Sequence, residues 1–325
     1  MRAFTCGICD SPLYFENSVC VSCGTNLGFS RDRREIVPVD EGGRWIDPDG
    51  LVWHVCDNLN LSGCTWLAPL EGGACSACDL TRTRPSDDDL TGLSQFPVAE
   101  AAKRHLLVEL DTQGLSYVSR DDDPEFGLCF DMLSSVEENV VIGHEDGVIT
   151  IDLAEGDDAH RVKVRVELAE PYRTMLGHLR HEVGHYMEFL HVRGDRIAAA
   201  RELFGNEEAS YPEAIERHYE QGPPENWEDS YISTYATMHP FEDFAETFAH
   251  VLHITDTVDT AASYGLLAID PSAFSSFRDL VTGVWVPLST ALNQINRSMG
   301  ALDLYPFVIP PPVLDKLEFV ASLRT

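Results

Sequence analysis

Cysteine placement restricts the fold of this 325-residue chain more than any other feature, because eight of the nine cysteines come before residue 80. Cys6 and Cys9 form one Cys-x-x-Cys pair, and Cys20 and Cys23 form a second pair after ten intervening residues. Four thiolates at this spacing can close a tetrahedral zinc site, and they leave no coordination position open for catalysis. The spacing therefore predicts a structural zinc ribbon near the start of the chain.

A second group of four cysteines follows, and its spacing is less regular. Cys75 and Cys78 form a Cys-x-x-Cys pair, whereas seven residues separate Cys56 from Cys64. We expect these four thiolates to form a second structural zinc site, with His54 as an alternative ligand. The cysteine-rich region is therefore predicted to hold one or two structural zinc ions.

The cysteines also indicate a reducing compartment. Cys129 stands alone in a strand-like segment, where an inert thiol packed in the core is the expected role. Cys-x-x-Cys pairs, an odd cysteine count and the lack of an export signal are typical of thiolate metal sites in reduced proteins. No apolar segment of a secretory signal opens the sequence, and no run of about 18 apolar residues predicts a membrane span. We therefore expect a cytoplasmic protein that does not enter a membrane.

Net charge argues against nucleic acid as a partner, although small cysteine-zinc modules often bind it. The sequence contains 23 Lys and Arg residues against 54 Asp and Glu residues, which gives a formal net charge of −31 at pH 7. A field of this sign repels polyanions. We expect no nucleic-acid partner.

Residue composition divides the chain into a cysteine-rich region and a longer mixed region. Residues 1–85 are rich in Cys, Gly and turn-forming residues, and the two candidate zinc sites lie within 1–30 and 50–85. Residues 86–325 combine strand-like and helical patterns, and we expect them to form a separate domain. The chain as a whole is predicted to have an α+β fold.

Apolar periodicity predicts the main elements of the second region. Most helical patterns come after about residue 166, and a segment with a central turn at residues 143–147 is predicted to form a hairpin. The predicted elements are helices over 98–110, 241–254 and 273–299, a long helix starting near Pro171, a short helix after Pro310–Pro312, and strands over 127–133 and 140–153.

The motif with the clearest chemistry is His181-Glu182-Val183-Gly184-His185, which lies in a stretch with apolar residues at helical spacing. In a helix, His181 and His185 project from one face about 6 Å apart, so both imidazoles can reach one zinc ion. Glu182 is placed to take a proton from a zinc-activated water and to deliver it to the leaving amine. Gly184 lets another part of the chain approach this helix closely. The motif predicts a catalytic zinc site.

Two histidines alone hold zinc weakly, so the motif requires a third ligand. His191 has the spacing of the metzincin motif, but Glu188 replaces the glycine that would turn the chain. In a continuous helix, His191 is rotated by about 240° from His185 and cannot reach the same ion. The alternative is an acidic pair, Glu242 and Glu246, on one face of a later helix. One of these acids would bind zinc, and the other would accept a hydrogen bond from a ligating histidine.

At these residues the sequence resembles the gluzincins, in particular the thermolysin-type and lethal-factor-type peptidases. In those enzymes a helix with Glu-x-x-x-Asp/Glu follows the HExxH motif by tens of residues. The resemblance implies that Glu242 is the zinc ligand and that Glu246 orients a histidine from the second coordination shell. Lethal-factor-type enzymes also have an oxyanion-stabilising tyrosine seven residues before the ligand glutamate, and Tyr235 has this spacing.

Across most of its length, the chain also resembles a bacterial family of zinc-binding metallopeptidases with N-terminal zinc-ribbon cysteines. The matching stretches are 4–29, 143–153, 171–186 and 231–253. This resemblance implies a zincin-like metallopeptidase domain over residues 86–325, preceded by the ribbon region.

Together these patterns predict a gluzincin-like zinc metallopeptidase that acts on a peptide or protein substrate. One catalytic zinc would be bound by His181, His185 and Glu242. Glu182 would be the general base, and Tyr235 would donate a hydrogen bond to the oxyanion. The alternative is a non-catalytic interaction or regulatory module that retains a zincin fold. Glu182 favours the enzyme, because a purely structural zinc site does not need it.

Gluzincins also place an edge strand beside the active-site helix, and a substrate chain can pair with this strand. The hairpin over 140–153 is the candidate strand in this sequence. His144 is expected at the tip of the hairpin, where its predicted role is that of a solvent-exposed turn residue and the alternative is an approach to the active site.

Overall fold

The structure is a computed structural model, and it describes the chain in three stretches, residues 2–135, 140–167 and 173–324. These stretches contain both strands and helices, so the predicted α+β class is confirmed. None of the helices in the described stretches has the length and apolar character that a membrane crossing requires.

Two compact units make up the chain. The first comprises Met1–Val164 and Thr174–Leu179, and the second comprises Arg165–Arg173 and Arg180–Thr325. The described strands all belong to the first unit, whereas the described secondary structure of the second unit is helical. The domain boundary predicted after residue 85 stays a prediction.

The strands of the first unit are short, with two to five residues each, because closely spaced turns end them. In the described residues they are β1 (Phe4–Thr5), β2 (Pro12–Leu13), β3 (Leu27–Ser30), β4 (Glu35–Pro38), β5 (Arg44–Ile46), β6 (Val52–Val55), β7 (Leu67–Ala68), β8 (Thr81–Thr83), β9 (Cys129–Leu133), β10 (Gly143–Glu145) and β11 (Val148–Asp152). They form two antiparallel pairs (β1-β2 and β3-β4), a three-stranded sheet in the order β5-β6-β7, and a four-stranded sheet in the order β10-β11-β9-β8.

An aromatic cluster joins the segment that carries the first four cysteines to the segment that carries the next four. The ring of Phe29 lies 4.8 Å from that of Phe15 and 5.3 Å from that of Trp66, measured between centroids. The backbone N–H of Phe29 also donates to the carbonyl of Thr65 at 2.7 Å. The cluster is buried at Phe29 and Trp66, so these ribbons have an apolar core in addition to their cysteines.

The predicted hairpin over 140–153 is confirmed as β10 and β11, which pair antiparallel around a turn with positive φ at Asp146 and Gly147. Two consecutive residues of positive φ suit the twist of a tight hairpin. His144 lies in β10 instead of at the predicted tip, because the turn begins two residues later. Its Nε2 accepts a hydrogen bond from the N–H of Gly147 at 3.1 Å. The strand β10 is a sheet edge, and its role in substrate binding stays a prediction.

Four of the described helices were not predicted: the ones that start at Leu59, Asp158, Asp195 and Tyr211. In the described residues the helices are α1 (Leu59–Ser62), α2 (Leu90–Gln113), α3 (Asp158–Glu167), α4 (Met175–His191), α5 (Asp195–Phe204), α6 (Tyr211–Gln221), α7 (Pro240–Ser263), α8 (Phe277–Leu280), α9 (Val286–Ser298) and α10 (Pro311–Ala321). Pro171, the predicted start of the long helix, lies outside the described residues.

The single helix predicted over 273–299 is wrong in detail. A short 3₁₀ turn ends at Ala273, α8 follows with Ser276 as its N-cap, and a π-helical segment over Val281–Trp285 joins α8 to α9. Pro287 in the first turn of α9 explains the irregularity, because proline has no N–H to continue an α-helical ladder. The terminal helix also begins within the proline run, since Pro311 and Pro312 occupy its first turn.

Candidate active site

Two helices of the second unit, α7 and the part of α4 that follows Leu179, approach each other closely at Gly184. A Cβ added at Gly184 would lie 3.0 Å from Cα of Ala245 and 3.2 Å from Cβ of Phe248. Because backbone atoms of α7 stand this near, a larger residue would push the helices apart. Glycine at this position therefore sets the short distance between the motif helix and the acidic helix.

This close approach brings together two imidazoles and one carboxylate. Nε2 of His181 lies 2.9 Å from Oε2 of Glu242, and Nε2 of His185 lies 3.6 Å from the same oxygen. A tetrahedral zinc ion with bonds of about 2.0–2.2 Å separates its ligand atoms by about 3.4 Å. The two distances bracket this value, and two imidazoles with one carboxylate form a known donor set of catalytic zinc. These residues therefore fit a zinc ion.

Glu246 contacts the far side of the same histidine. Its Oε1 lies 2.8 Å from Nδ1 of His181, so both ring nitrogens of His181 face a carboxylate. Burial alone would lower the pKa of His181, but the hydrogen bonds to Glu242 and Glu246 outweigh it and raise this pKa well above its usual value. Burial would conversely raise the pKa of Glu242, and the bonds to His181 and His185 hold it below its usual value.

Glu182 is buried, with 7% of its surface exposed. Its carboxylate forms no hydrogen bond or ion pair with any residue in the stretches that the structure describes. A buried carboxylate is normally paired, and one without a protein partner beside two histidines is available to a water molecule or a substrate.

Tyr235 lies next to the two histidines, at the start of a 3₁₀ turn over Tyr235–Thr237. Its ring centroid is 5.7 Å from that of His181. Burial, followed by the negative charge of Glu242, raises the pKa of Tyr235 above its usual value, so its hydroxyl remains a hydrogen-bond donor.

His191 lies outside the group of possible ligands that the structure brings together. α4 continues without a break to His191, and the atoms that converge within 4.8 Å belong to His181, His185 and Glu242. The continuous helix rotates His191 away from the other two histidines, as expected when Glu188 replaces the glycine of the metzincin motif. The geometry therefore favours Glu242 over His191 as the third ligand.

The first cysteine cluster contains the two Cys-x-x-Cys pairs in matching turns. The residue after each pair has a positive φ, and its N–H donates to the carbonyl of the first cysteine of that pair. Sγ of Cys6 lies 3.8 Å from Sγ of Cys23, and Sγ of Cys9 lies 3.6 Å from Sγ of Cys20. Zinc bonds to sulfur of about 2.3 Å place tetrahedral thiolates about 3.8 Å apart, so this cluster fits a zinc ion.

The second cysteine cluster closes in the same way despite its irregular spacing. Sγ of Cys56 lies 3.6 Å from Sγ of Cys78, and Sγ of Cys64 lies 3.5 Å from Sγ of Cys75. Five of the seven residues between Cys56 and Cys64 belong to the helical turn α1 and the left-handed Gly63 that ends it. This turn reverses the chain and brings the two cysteines close together. All four thiols are buried, and they converge without His54.

Cys129 lies apart from both clusters, in β9. Its side chain is buried, and burial raises the pKa of its thiol. The structure therefore places it where an inert core thiol was expected.

Comparison with known proteins gives a family for this arrangement. Residues 92–323 match the family described as "Putative zinc-binding metallo-peptidase", and residues 3–89 match a zinc-ribbon domain. The chain belongs to this metallopeptidase family. Similar proteins occur in Mycobacterium bovis and in two strains of Mycobacterium tuberculosis, each 50% identical over 99% of this chain and 95% of the relative. These relatives are described only as uncharacterized proteins, and no solved structure matches.

The family prediction is thereby confirmed, but two contacts in this metallopeptidase domain were missed by the sequence analysis. The hydroxyl of Tyr211 donates to Oε1 of Glu242 at 2.6 Å, and the hydroxyl of Ser233 donates to Oε2 of Glu246 at 2.7 Å. Neither residue belongs to a recognisable motif. The only local signal is that Ser233 lies two residues before Tyr235.

Glu188 is a second acid of α4 near the site. Burial, followed by the negative charges of Glu207, Glu242 and Asp243, raises the pKa of Glu188 to about 9. The carboxyl is therefore protonated at neutral pH. In the sequence Glu188 stood out only as a departure from the metzincin pattern, because its acidic neighbours come from α7 and from the turn after α5.

The acidic helix is anchored by a buried ion pair. Nζ of Lys316, in α10, lies 2.6 Å from Oδ2 of Asp243 and donates to the carbonyl of Ser230 at 2.8 Å. The same ammonium stands 4.3 Å from the ring centroid of Tyr231. Asp243 is the neighbour of Glu242 in sequence, so this contact fixes α7 at the residue beside the proposed ligand.

Proposed function

We propose that this protein is a zinc-dependent peptidase of the gluzincin type. The observation that carries the proposal is the convergence of His181, His185 and Glu242 beside Glu182, a buried carboxylate without a protein partner in the described stretches. A structural zinc site needs the first three residues and has no use for the fourth. Membership in a metallopeptidase family supports the same reaction class.

In this proposal His181, His185 and Glu242 hold the metal. The zinc ion would polarise the scissile carbonyl and make a water molecule more acidic when it is bound there. Glu182 then takes a proton from the attacking water and delivers it to the leaving amine. Tyr235 donates a hydrogen bond to the oxygen on which negative charge develops.

Glu246 has a different role, because it contacts a ligand and is remote from the reaction. By accepting the Nδ1–H of His181, it keeps Nε2 of that ring unprotonated and directed at the metal. We assign the two cysteine clusters a purely structural role, since four thiolates fill the coordination of a zinc ion. The full protein then carries three zinc ions, one catalytic and two structural.

The substrate class follows from the reaction, and it is a peptide or a protein. The strongly negative charge of the chain makes nucleic acid an unfavourable partner. Eight thiols in two zinc clusters suit a reducing compartment, so we place the protein in the cytoplasm.

Replacement of Glu182 by Gln tests the proposal. The amide preserves size and leaves both histidines unchanged, so the zinc content and the fold are expected to stay the same. Peptide cleavage, measured by mass spectrometry on a diverse peptide library, is expected to fall by about 10²–10⁴-fold, the typical effect of losing a general base. Glu202→Gln, an exposed acid of α5, is the matched control and is expected to cleave like the wild type.

Equal cleavage by the wild type and Glu182→Gln, with zinc present in both, would contradict the proposed mechanism. If the zinc-loaded wild type cleaves nothing in the library while it binds a protein partner, the non-catalytic interaction module is the better assignment.

A further inference from the structure

Each of the two site carboxylates divides its oxygens between a histidine and a hydroxyl. Glu242 directs Oε2 at Nε2 of His181 and of His185, and its Oε1 accepts the hydrogen bond from Tyr211. Glu246 directs Oε1 at Nδ1 of His181, and its Oε2 accepts the hydrogen bond from Ser233. The same pattern on two acids one helical turn apart indicates that both hydroxyls have the same structural role.

The hydroxyls restrict a rotation that is otherwise easy. The terminal torsion of a glutamate is broad and nearly two-fold, so an unrestrained carboxylate can exchange its oxygens or present both of them to a cation. Glu242 is only 2% exposed, so solvent cannot easily replace a lost hydroxyl partner. A hydroxyl donor that holds one oxygen therefore fixes the rotation of the carboxylate, and with it the direction of the other oxygen.

We infer that Tyr211 and Ser233 are positioning residues, which reserve one oxygen of Glu242 and of Glu246 so that each acid offers only its other oxygen to the metal site. Tyr211 makes Glu242 a one-oxygen ligand and leaves a coordination position for water or substrate. Ser233 keeps Glu246 as a hydrogen-bond acceptor for His181. The inference rests on the proposed zinc ligands of the preceding section.

The place of Tyr211 is fixed by the acidic helix itself. Tyr211 is the first residue of α6, and its ring packs edge-on against His239 at 5.2 Å between centroids. Nδ1 of His239 caps α7 by accepting from the N–H of Phe241, and its Nε2 lies 3.1 Å from the carbonyl of Ala209. The residue that caps α7, His239, therefore also holds the chain at Ala209, two residues before Tyr211. This ties the tyrosine hydroxyl to the helix that bears its acceptor.

Ser233 is held in a comparable way, close to the proposed oxyanion donor. Its hydroxyl oxygen accepts a hydrogen bond from the N–H of Ala236 at 3.1 Å, within the turn that contains Tyr235. One buried hydroxyl thus fixes both Glu246 and the tyrosine turn. We therefore expect its loss to disturb the orientation of His181 and the placement of Tyr235 together.

Metal binding by Tyr211→Phe tests the first half of the inference without any need for activity. The full-length protein is kept loaded with zinc in its cysteine clusters, and the remaining site is titrated with zinc in competition with a chelator. We expect Tyr211→Phe to bind about 10–100-fold more weakly, as is typical when a contact behind a metal ligand is lost. Tyr219→Phe, on the same helix but 67% exposed, is the matched control and is expected to bind like the wild type.

A spectroscopic measurement separates positioning from simple destabilisation. Cobalt(II) replaces zinc in the same site, and its visible absorption weakens as the coordination number rises above four. We expect weaker absorption per cobalt for Tyr211→Phe than for the wild type, because a released Glu242 can offer both oxygens. Wild-type affinity together with a wild-type cobalt spectrum would overturn the role of Tyr211.

Ser233 is tested by loss and by rescue. We expect Ser233→Ala to lower kcat by about 10-fold or more with little change in KM, and to weaken zinc binding at this site, while Ser233→Thr restores most of both. Ser230→Ala, three residues earlier, is the matched control and is expected to behave like the wild type, because its contact with Lys316 comes from the backbone carbonyl, which alanine keeps. Circular dichroism at the helical wavelengths shows that each variant is folded, since the described secondary structure of the second unit is helical. Failure of Thr to rescue, or wild-type kcat and affinity in Ser233→Ala, would overturn the role of Ser233.

Failure of this inference is distinguishable from failure of the proposed function. If His181→Ala does not change metal binding at the titrated site, the proposed ligand set itself is wrong. If His181→Ala abolishes binding while Tyr211→Phe and Ser233→Ala behave like the wild type, the ligand set stands and the two hydroxyls have no positioning role.

Discussion

The two cysteine clusters differ in their assembly from the histidine site, which is formed by His181, His185 and Glu242. In the cysteine clusters, most ligands come in local pairs within one turn, and all four donors are of one type. In the histidine site, two ligands come from α4 and the third lies 57 residues after His185, on α7. The histidine site also has hydrogen-bonded partners behind its ligands, Glu246, Tyr211 and Ser233. Closed local sites suit structure, whereas an open, supported site suits chemistry.

The largest effect is expected when a cysteine cluster is broken. Cys64→Ser removes a buried ligand of the second cluster, and structural zinc in small modules contributes free energy on the order of 10 kcal/mol to folding. We expect loss of one zinc ion and early proteolysis within the first 85 residues. Cys129→Ala is the control, because it removes a buried thiol and is expected to leave the zinc content unchanged. Protection from proteolysis in Cys64→Ser would show that this cluster does not hold the ribbon together.

The histidine site is expected to behave in the opposite way when its ligands are removed. The double variant His181→Ala/His185→Ala is expected to lose one zinc ion and all peptide cleavage, while both cysteine clusters stay loaded and the fold persists. Metal analysis and circular dichroism check this directly. Loss of all zinc from the double variant would mean that the three metal sites have been assigned to the wrong residues.

A smaller effect should distinguish the two acids of α7. Glu242→Gln removes an anionic ligand and is expected to weaken zinc binding at the histidine site sharply. Glu246→Gln removes a contact behind His181 and is expected to cost about 10–100-fold. Chelator competition compares the two affinities. Tight zinc binding by Glu242→Gln together with loss in Glu246→Gln would reverse the two roles.

The smallest effect concerns Glu188, whose folded-state pKa of about 9 lies above its ordinary value of 4.5. The folded protein binds more protons than the unfolded chain between these values, so this group makes the protein less stable as pH rises through that window. Gln resembles the protonated acid and removes the effect. We expect Glu188→Gln to melt about 2–4 °C above the wild type near pH 8, with the difference shrinking toward pH 5.

Glu202→Gln, an exposed acid, is expected to show no such dependence on pH. A melting difference for Glu188→Gln that is the same at both pH values would indicate a packing effect instead of a proton.

Local spacing was sufficient for several predictions. The Cys-x-x-Cys pairs and the HExxH motif each lie within one turn of chain, and their geometry follows from the turn or the helix alone. The hairpin of β10 and β11 and the α+β class followed from periodicity and turn residues in the same way. The break in the helix predicted over 273–299 was missed, because Pro287 in the first turn of a new helix looks like any proline inside an apolar pattern.

The remaining parts of the site depend on contacts between distant residues. The resemblance to gluzincins singled out Glu242, but its approach to His181 depends on the close packing of α4 and α7 at Gly184. Tyr211, Ser233 and the acidic neighbours of Glu188 carry no sequence signal, because their partners lie on other elements. The sequence by itself determined which residues could bind a metal. Only the tertiary structure decided which side chains hold those ligands in place, since a hydrogen bond between distant segments leaves no regular residue spacing in the sequence.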